Sequence, residues 1–130
     1  MRRIHLVIGV ATLLAFLISG QMMSHHTPPV NALDADARLM FRSRHIYILA
    51  SGLVNLMLGL YFQRRAARWR RILQTVGSTF LVAAPVLLVW AFTIEPERGF
   101  QEAMWRSSYG LFALFLGCVL HLICSGGKYE

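Results

Sequence analysis

The sequence predicts an all-α membrane protein, a four-transmembrane-helix antiparallel bundle with both termini in the cytoplasm. Of the 130 residues, 56% are hydrophobic and only 15% are charged, whereas soluble domains carry about 25% charged residues. A soluble domain of this length cannot bury so much apolar surface, because its surface-to-volume ratio is too high. The composition therefore excludes a soluble enzyme, a disordered chain and a disulfide scaffold.

Four apolar segments account for most of the chain, and each approaches the roughly 20 residues that cross a bilayer as a helix. The predicted spans cover about 4–23, 45–62, 72–94 and 104–124, in one membrane domain over 1–130 with an outer loop at 24–44. We interpret the first segment as a true span, because it is long for a cleaved signal peptide. Pro28 and Pro29 break the helix in the outer loop, where Asn31 or Asp34 is the predicted cap of a short interfacial helix ending at Met40.

The arginines set the predicted orientation, because cytoplasmic loops carry an excess of Lys and Arg. With the N-terminus inside, eight of the thirteen basic residues face the cytoplasm and five face outward. Five of the six acidic residues also face outward, where they offset those five arginines. The sequence therefore predicts a multi-pass protein of the bacterial inner membrane with its N- and C-termini inside.

The loop between the second and third predicted spans is strongly basic, with five arginines and Trp69 in the run QRRAARWRR. We interpret it as a topology determinant that contacts anionic lipid headgroups, each basic residue contributing on the order of 1 kcal/mol. The loop is too short for a nucleic-acid-binding module, so we expect no nucleic-acid partner. The expected partners are the lipid bilayer and either a second copy of the chain or a larger membrane complex.

Each predicted span carries one stripe of small and polar residues, which favour helix packing in lipid. The stripes predict a bundle with these residues inward and Leu, Phe and Trp outward, although some stripes are alternatively suited to homo-oligomer contacts. The inward positions are His5, Gly9, Thr12, Phe16, Ser19 and Met23, then His45, Ser51, Gly52, Asn55 and Gly59, then Gln74, Gly77, Ser78, Ala84 and Pro85, then Ser107, Gly110, Gly117, His121 and Cys124.

Ionisable residues at membrane depth are functional candidates, and the histidines are the main ones here. His5 and His121 are predicted at one level near the inner surface, each with a glycine one turn deeper, at Gly9 and Gly117. Two histidines with room for a flat ring between them are suited to axial ligation of haem b. This arrangement is similar in outline to small membrane b-type cytochromes, which implies a haem cofactor. The alternative is that each histidine is an interface residue or a hydrogen-bond donor inside the bundle.

Two further candidate sites lie at the outer surface. Thioether and imidazole ligands suit copper, and His45 is a candidate ligand of a second haem. An outer polar cluster is a candidate for binding an anion or a quinone head, with solvated helix ends and loop ion pairs as the alternative. The candidate metal ligands are Met22, Met23, His25 and His26, and the outer polar cluster consists of Arg42, Arg44, Glu95 and Arg106, with His45 beside it.

The sequence contains no recognisable catalytic constellation, so three functions remain as hypotheses. The first is an accessory or scaffold protein that acts through helix packing with itself or a partner complex. The second is a membrane electron carrier of b-type haem or quinone-linked kind. The third is a small oligomeric transporter or channel, whose path would be lined by Asn55, Gln74, Thr79 and Ser108.

Overall fold

The computed structural model describes residues 1–98 and 104–125, and this part of the chain is all-helical, without strands. The predicted all-α class is therefore confirmed. A single 3-10 turn, Val30–Ala32, lies between the first two long helices. The four long helices are α1 (Arg2–Ser24), α2 (Ala35–Tyr61), α3 (Arg68–Arg98) and α4 (Trp105–Ser125).

Three of the helices, α1, α3 and α4, are long and apolar enough to cross a membrane. This is compatible with a multi-pass membrane protein. Helix α2 is not among them, because its first half carries arginines and its second half includes Asn55. That α2 is a fourth span, and that both termini lie in the cytoplasm, stay predictions.

Helix α2 begins at Ala35 rather than near residue 45, so it extends through much of the predicted outer loop. The predicted short helix ending at Met40 is therefore the first part of α2, and the connector is reduced to residues 25–34. The helix continues here because its apolar side is buried. Met40 is fully buried, and Phe41 packs edge-on against Phe92 of α3 with 5.7 Å between the ring centroids.

Helices that follow one another in the chain pack antiparallel. Gly9 near the start of α1 lies against Leu56 near the end of α2, and a Cβ at Gly9 would be 2.6 Å from the Leu56 backbone nitrogen. In the same way, Gly77 near the start of α3 lies against Gly117 near the end of α4. Only glycine permits such a close approach of two helix backbones.

The interior of the bundle is unusually polar, and its outer surface is apolar. Large side chains such as Leu17 of α1 and Phe115 of α4 are more than half exposed, at 61% and 69%. This distribution is typical of helices that face hydrocarbon on the outside. The predicted inward stripes are confirmed at the following buried polar positions: His5, Thr12, Ser19, Ser51, Asn55, Gln74, Ser78 and Ser107.

Candidate functional site

A hydrogen-bonded chain of side chains from all four helices lies inside one end of the bundle. We name this the basic end, because Arg2 and the arginines of the connector between α2 and α3 lie there. Three of its members, His5 of α1, Asn55 of α2 and Ser78 of α3, are fully buried. The side chains that form the chain are Asn55, His5, Ser78 and His121, and we name them the polar chain.

Asn55 fixes the direction of hydrogen bonding in the polar chain. Its side-chain NH₂ donates to the backbone oxygens of Ser51, at 2.9 Å, and Leu81, at 2.7 Å. Its Oδ1 is therefore the acceptor that lies 2.8 Å from Nδ1 of His5. Because an amide oxygen can only accept, Nδ1 of His5 must carry a proton.

The hydroxyl of Ser78 joins the two histidines. Its Oγ lies 2.9 Å from Nε2 of His5 and 3.2 Å from Nε2 of His121. In the neutral state, Nε2 of His5 accepts the Ser78 hydroxyl proton, and Ser78 in turn accepts from Nε2–H of His121. A proton arriving at Nδ1 of His121 can then be passed to His5 through two short transfers. It goes no further, because the Asn55 amide oxygen accepts a hydrogen bond from His5 but is not basic enough to take the proton itself.

The polar chain brings together the two predicted haem ligands, His5 and His121, whose ring centroids are 6.2 Å apart. Both nitrogens of His5, however, have protein partners, Asn55 and Ser78. Coordination of an iron atom by His5 would require the loss of one of these hydrogen bonds, and the Ser78 hydroxyl stands between the two Nε2 atoms. Haem binding by this pair stays a prediction, and the arrangement itself does not favour it.

A pocket of about 540 Å³ opens between α2 and α4 beside the polar chain. This volume lies within the range of small-molecule sites. One end of the pocket is polar and includes His121. The polar lining residues are Gln63, Arg65, Gln74, His121 and Ser125, and the apolar ones include Leu53, Val54, Met57, Leu58, Leu81 and Leu122. The pocket is therefore suited to a molecule with an apolar body and a polar head.

Arg65 is held over the polar end of this pocket by the connector between α2 and α3. Its backbone N–H donates to Oε1 of Gln74, at 3.4 Å, and Nη2 of its guanidinium donates to Oγ of Ser125, at 3.0 Å. The Nε atom of Arg65 is buried and has no hydrogen-bond partner. A buried donor without a partner is destabilising, so this atom marks a position where a ligand oxygen would be stabilised.

The opposite end of the bundle contains a buried ion pair between Arg44 of α2 and Glu95 of α3. Nε and Nη2 of Arg44 each lie 3.0 Å from Oε2 of Glu95, and both side chains are less than a tenth exposed. The other oxygen of Glu95 accepts the backbone N–H of Ser107, at 3.0 Å, in the first turn of α4. The pair therefore joins three helices, and we name this the ion-pair end.

The four residues of the predicted outer polar cluster have different partners. Arg42 donates to the side chain of Asn31, at 2.9 Å, on the exposed surface. Arg106 lies over the rings of Trp90 and Trp105, at 4.6 and 4.5 Å from their centroids. Of these four residues, Arg44 and Glu95 form an ion pair with each other, and the Nε atom of Arg106 is buried without a hydrogen-bond partner. Binding of an anion or a quinone head by the cluster stays a prediction.

His45 lies apart from that cluster, between α1 and α2. Its ring stacks on Phe16, with 4.1 Å between centroids, and its Nδ1 lies 2.8 Å from the Ser19 hydroxyl. These contacts are those of a packed interhelical residue. Neither of these contacts is with another histidine, which the predicted second haem at His45 would need as its other axial ligand.

The predicted copper ligands are spread over the end of α1 and the connector after it. Met22 is exposed, whereas Met23 packs against the core that contains Phe41 and Phe92. Nδ1 of His25 lies 2.9 Å from the backbone oxygen of Gln21, and Nδ1 of His26 lies 2.6 Å from that of Pro28. Within residues 1–98 and 104–125, no three His, Cys, Asp or Glu side chains are grouped so as to hold a metal ion.

Ser78 and Arg65 were missed as functional candidates from the sequence, and Asn55 was assigned to a transport path rather than to the polar chain. Asn55 and Ser78 were predicted to face inward, but not to be partners of His5, and Arg65 was counted only as a topology determinant. The inward positions of Asn55 and Ser78 were the available signal for the polar chain. No signal in the sequence distinguished Arg65 from its neighbouring arginines.

No family model, no curated protein and no solved structure matches this chain.

Replacing Ser78 with Ala removes the hydroxyl that joins the two histidine rings. We expect the free energy of unfolding in micelles to fall by about 1–3 kcal/mol, because the buried Nε2 of His5 loses its partner. Ser108→Ala is the matched control, since its exposed hydroxyl bonds only to the backbone oxygen of Met104, just before α4, and should cost less than about 0.5 kcal/mol. Denaturant titration followed by circular dichroism measures both. Equal stability of the two variants would contradict the described role of Ser78.

Replacing Glu95 with Gln leaves the Arg44 guanidinium buried without its counter-charge. We expect a loss of about 3–5 kcal/mol in the free energy of unfolding, measured in the same way. Glu97→Gln removes the same charge from an exposed position two residues away and should have little effect. The double variant Arg44→Met with Glu95→Leu should recover most of the loss, because it removes both charges. A double variant as unstable as Glu95→Gln would contradict this explanation.

Proposed function

We propose that this chain is a four-span protein of the bacterial inner membrane with both termini in the cytoplasm, and that it binds a membrane-dissolved amphipathic ligand between α2 and α4. Helix α2 is the proposed fourth span because its second half is apolar and packs along α1 and α3. Its most polar buried side chain, Arg44, is neutralised by Glu95, which lowers the cost of placing it near the membrane.

The proposed orientation rests on the separation of charge between the two ends of the bundle. The described acidic residues belong to the ion-pair end and its connectors, and the basic end carries arginines from three segments of the chain. Cytoplasmic surfaces of membrane proteins are enriched in such residues. The arginines assigned to the basic end are Arg2, Arg3, Arg64, Arg65, Arg68, Arg70 and Arg71.

The observation that carries the ligand-binding proposal is the pocket between α2 and α4. It joins an apolar groove, which in a membrane would face the acyl chains, to a polar end where His121 leads into the polar chain. Membrane-dissolved molecules with a polar head are likewise made of an apolar part joined to a polar part. The quinone-linked hypothesis belongs to this class, and the path for a proton between His121 and His5 supports it.

The other two hypotheses gain less from the described contacts. A scaffold or homo-oligomer would use exposed small-residue stripes, but these stripes are buried within the bundle. For a transporter, Asn55 was predicted to line a path, yet both atoms of its amide are hydrogen-bonded inside the protein. Thr79 and Ser108, also predicted for that path, are exposed, and their hydroxyls bond to backbone oxygens four residues earlier in the chain.

The proposed topology predicts opposite accessibility for two exposed loop positions, Thr27 and Ala66. In a variant with Cys118 and Cys124 replaced by Ala, we expect Thr27→Cys to react with a membrane-impermeant maleimide in intact spheroplasts. Ala66→Cys should react only after the membrane is permeabilised, since it lies in the arginine-rich connector. Gel-shift labelling measures both. Reaction of Ala66→Cys in intact spheroplasts would contradict the proposed orientation.

The proposed binding site predicts that filling the pocket abolishes binding. Val54 lines the pocket and is half-buried, so Val54→Trp should occupy its apolar part. In nanodiscs, we expect a photoreactive diazirine fatty acid, or the corresponding alcohol, to label peptides of α2 and α4 saturably in the wild-type protein. In Val54→Trp this labelling should fall to the unsaturable background.

Val86→Trp is the matched control, because Val86 is 65% exposed and does not line the pocket. This variant should label as the wild type does. Mass spectrometry of the labelled peptides gives the positions. If neither probe labels α2 and α4 saturably, or if Val54→Trp labels like Val86→Trp, the ligand-binding proposal is wrong.

A further inference from the structure

The chemistry of the ligand's head follows from the charge around Arg65. Within residues 1–98 and 104–125, the basic end contains seven arginines and no Asp or Glu side chain. Among the described residues, the Arg65 guanidinium therefore has no carboxylate beside it, in contrast to Arg44, which is paired with Glu95. A cation at the mouth of an apolar pocket, without a counter-charge, favours an anionic ligand.

The geometry of Arg65 indicates where that anion would bind. Nη2 is used by Ser125, whereas the buried Nε has no partner. Hydrogen bonds from a guanidinium to an ionised oxygen are about twice as strong as those between neutral groups. An anionic oxygen at the polar end of the pocket would satisfy Nε and neutralise the charge at the same time.

The rest of the lining indicates the kind of anion. Among the described residues that line this pocket, Arg65 is the only Lys or Arg, which matches a head with a single negative charge. The remaining lining is mainly apolar, including Leu53, Met57 and Leu122, which are exposed toward the membrane. A single alkyl chain can follow this groove away from Arg65.

On this basis, and resting on the proposed function, we propose that the pocket between α2 and α4 binds a long-chain carboxylate of fatty-acid type, with Arg65 as the residue that binds the carboxylate. His121 lies at the same end of the pocket, but its Nε2–H is donated to Ser78 and its Nδ1 is unprotonated in the neutral ring, so the carboxylate takes its charge-assisted hydrogen bond from Arg65. The apolar residues of α2 and α4 contact the alkyl chain of the ligand and do not distinguish one head group from another.

The test compares a charged and an uncharged probe of the same shape. Purified protein in nanodiscs of zwitterionic lipid is titrated with oleate or oleyl alcohol as competitor, against saturable labelling by the photoreactive fatty acid. We expect oleate to compete at least about tenfold better than oleyl alcohol, because the alcohol makes no charge-assisted bond to Arg65.

Two variants test whether the preference for oleate over oleyl alcohol depends on Arg65. Arg65→Gln should weaken competition by oleate at least about tenfold and leave oleyl alcohol unchanged. Arg68→Gln removes the same charge from an exposed residue at the start of α3 that does not line the pocket, so it should leave both probes nearly unchanged. The probe comparison on wild-type protein stands by itself if Arg65→Gln does not fold.

The outcomes separate this proposal from the one on which it rests. If oleyl alcohol competes as well as oleate and Val54→Trp still abolishes labelling, the pocket binds amphiphiles but the carboxylate assignment is wrong. If Arg68→Gln weakens oleate as much as Arg65→Gln does, the effect is one of general surface charge, and Arg65 is not the binding residue. If no probe binds saturably, both proposals fail together.

Discussion

A polar side chain inside a bundle that faces hydrocarbon has no water to bind, so its partners must come from neighbouring helices. This constraint governs both ends of the molecule. At the basic end, the His5 ring uses both nitrogens on Asn55 and Ser78. At the ion-pair end, Glu95 uses both oxygens on Arg44 and α4. Because each polar group has few alternatives, these bonds fix how the helices are aligned.

Close glycine contacts complete the alignment that the polar groups begin. Gly9 and Gly59 bring α1 and α2 together, and Gly117 does so for α3 and α4. Helices α2 and α4, in contrast, touch little, and the pocket opens between them. Glycine contacts therefore pair α1 with α2 and α3 with α4, whereas the pocket opens between two helices that are not neighbours in the chain.

The pocket connects the polar chain to the surface of the bundle. His5 is fully buried, but His121 is only partly buried and lines the pocket, so a proton or a hydrogen bond at His121 is connected to the interior through Ser78. Arg65 stands at the same end with an unpartnered Nε. A polar head placed there would contact two functional groups, one cationic and one able to hold a proton, while its apolar body stayed in contact with lipid.

The helical class, the three apolar helices and the inward stripes could be predicted from the sequence, because they depend on local composition and on a period of 3.6 residues. That His5 and His121 share one level also followed from the order of the helices. The hydrogen-bond and ion-pair partners of these residues could not be predicted from the sequence. Several contacts depend on how the helices are rotated and how closely they approach one another. They are the bonds of Ser78 to the two histidines, the pairing of Arg44 with Glu95, the packing of Arg106 on two tryptophans, and the position of Arg65 over the pocket. Only the tertiary structure decides them, because they are set by contacts between residues far apart in the chain.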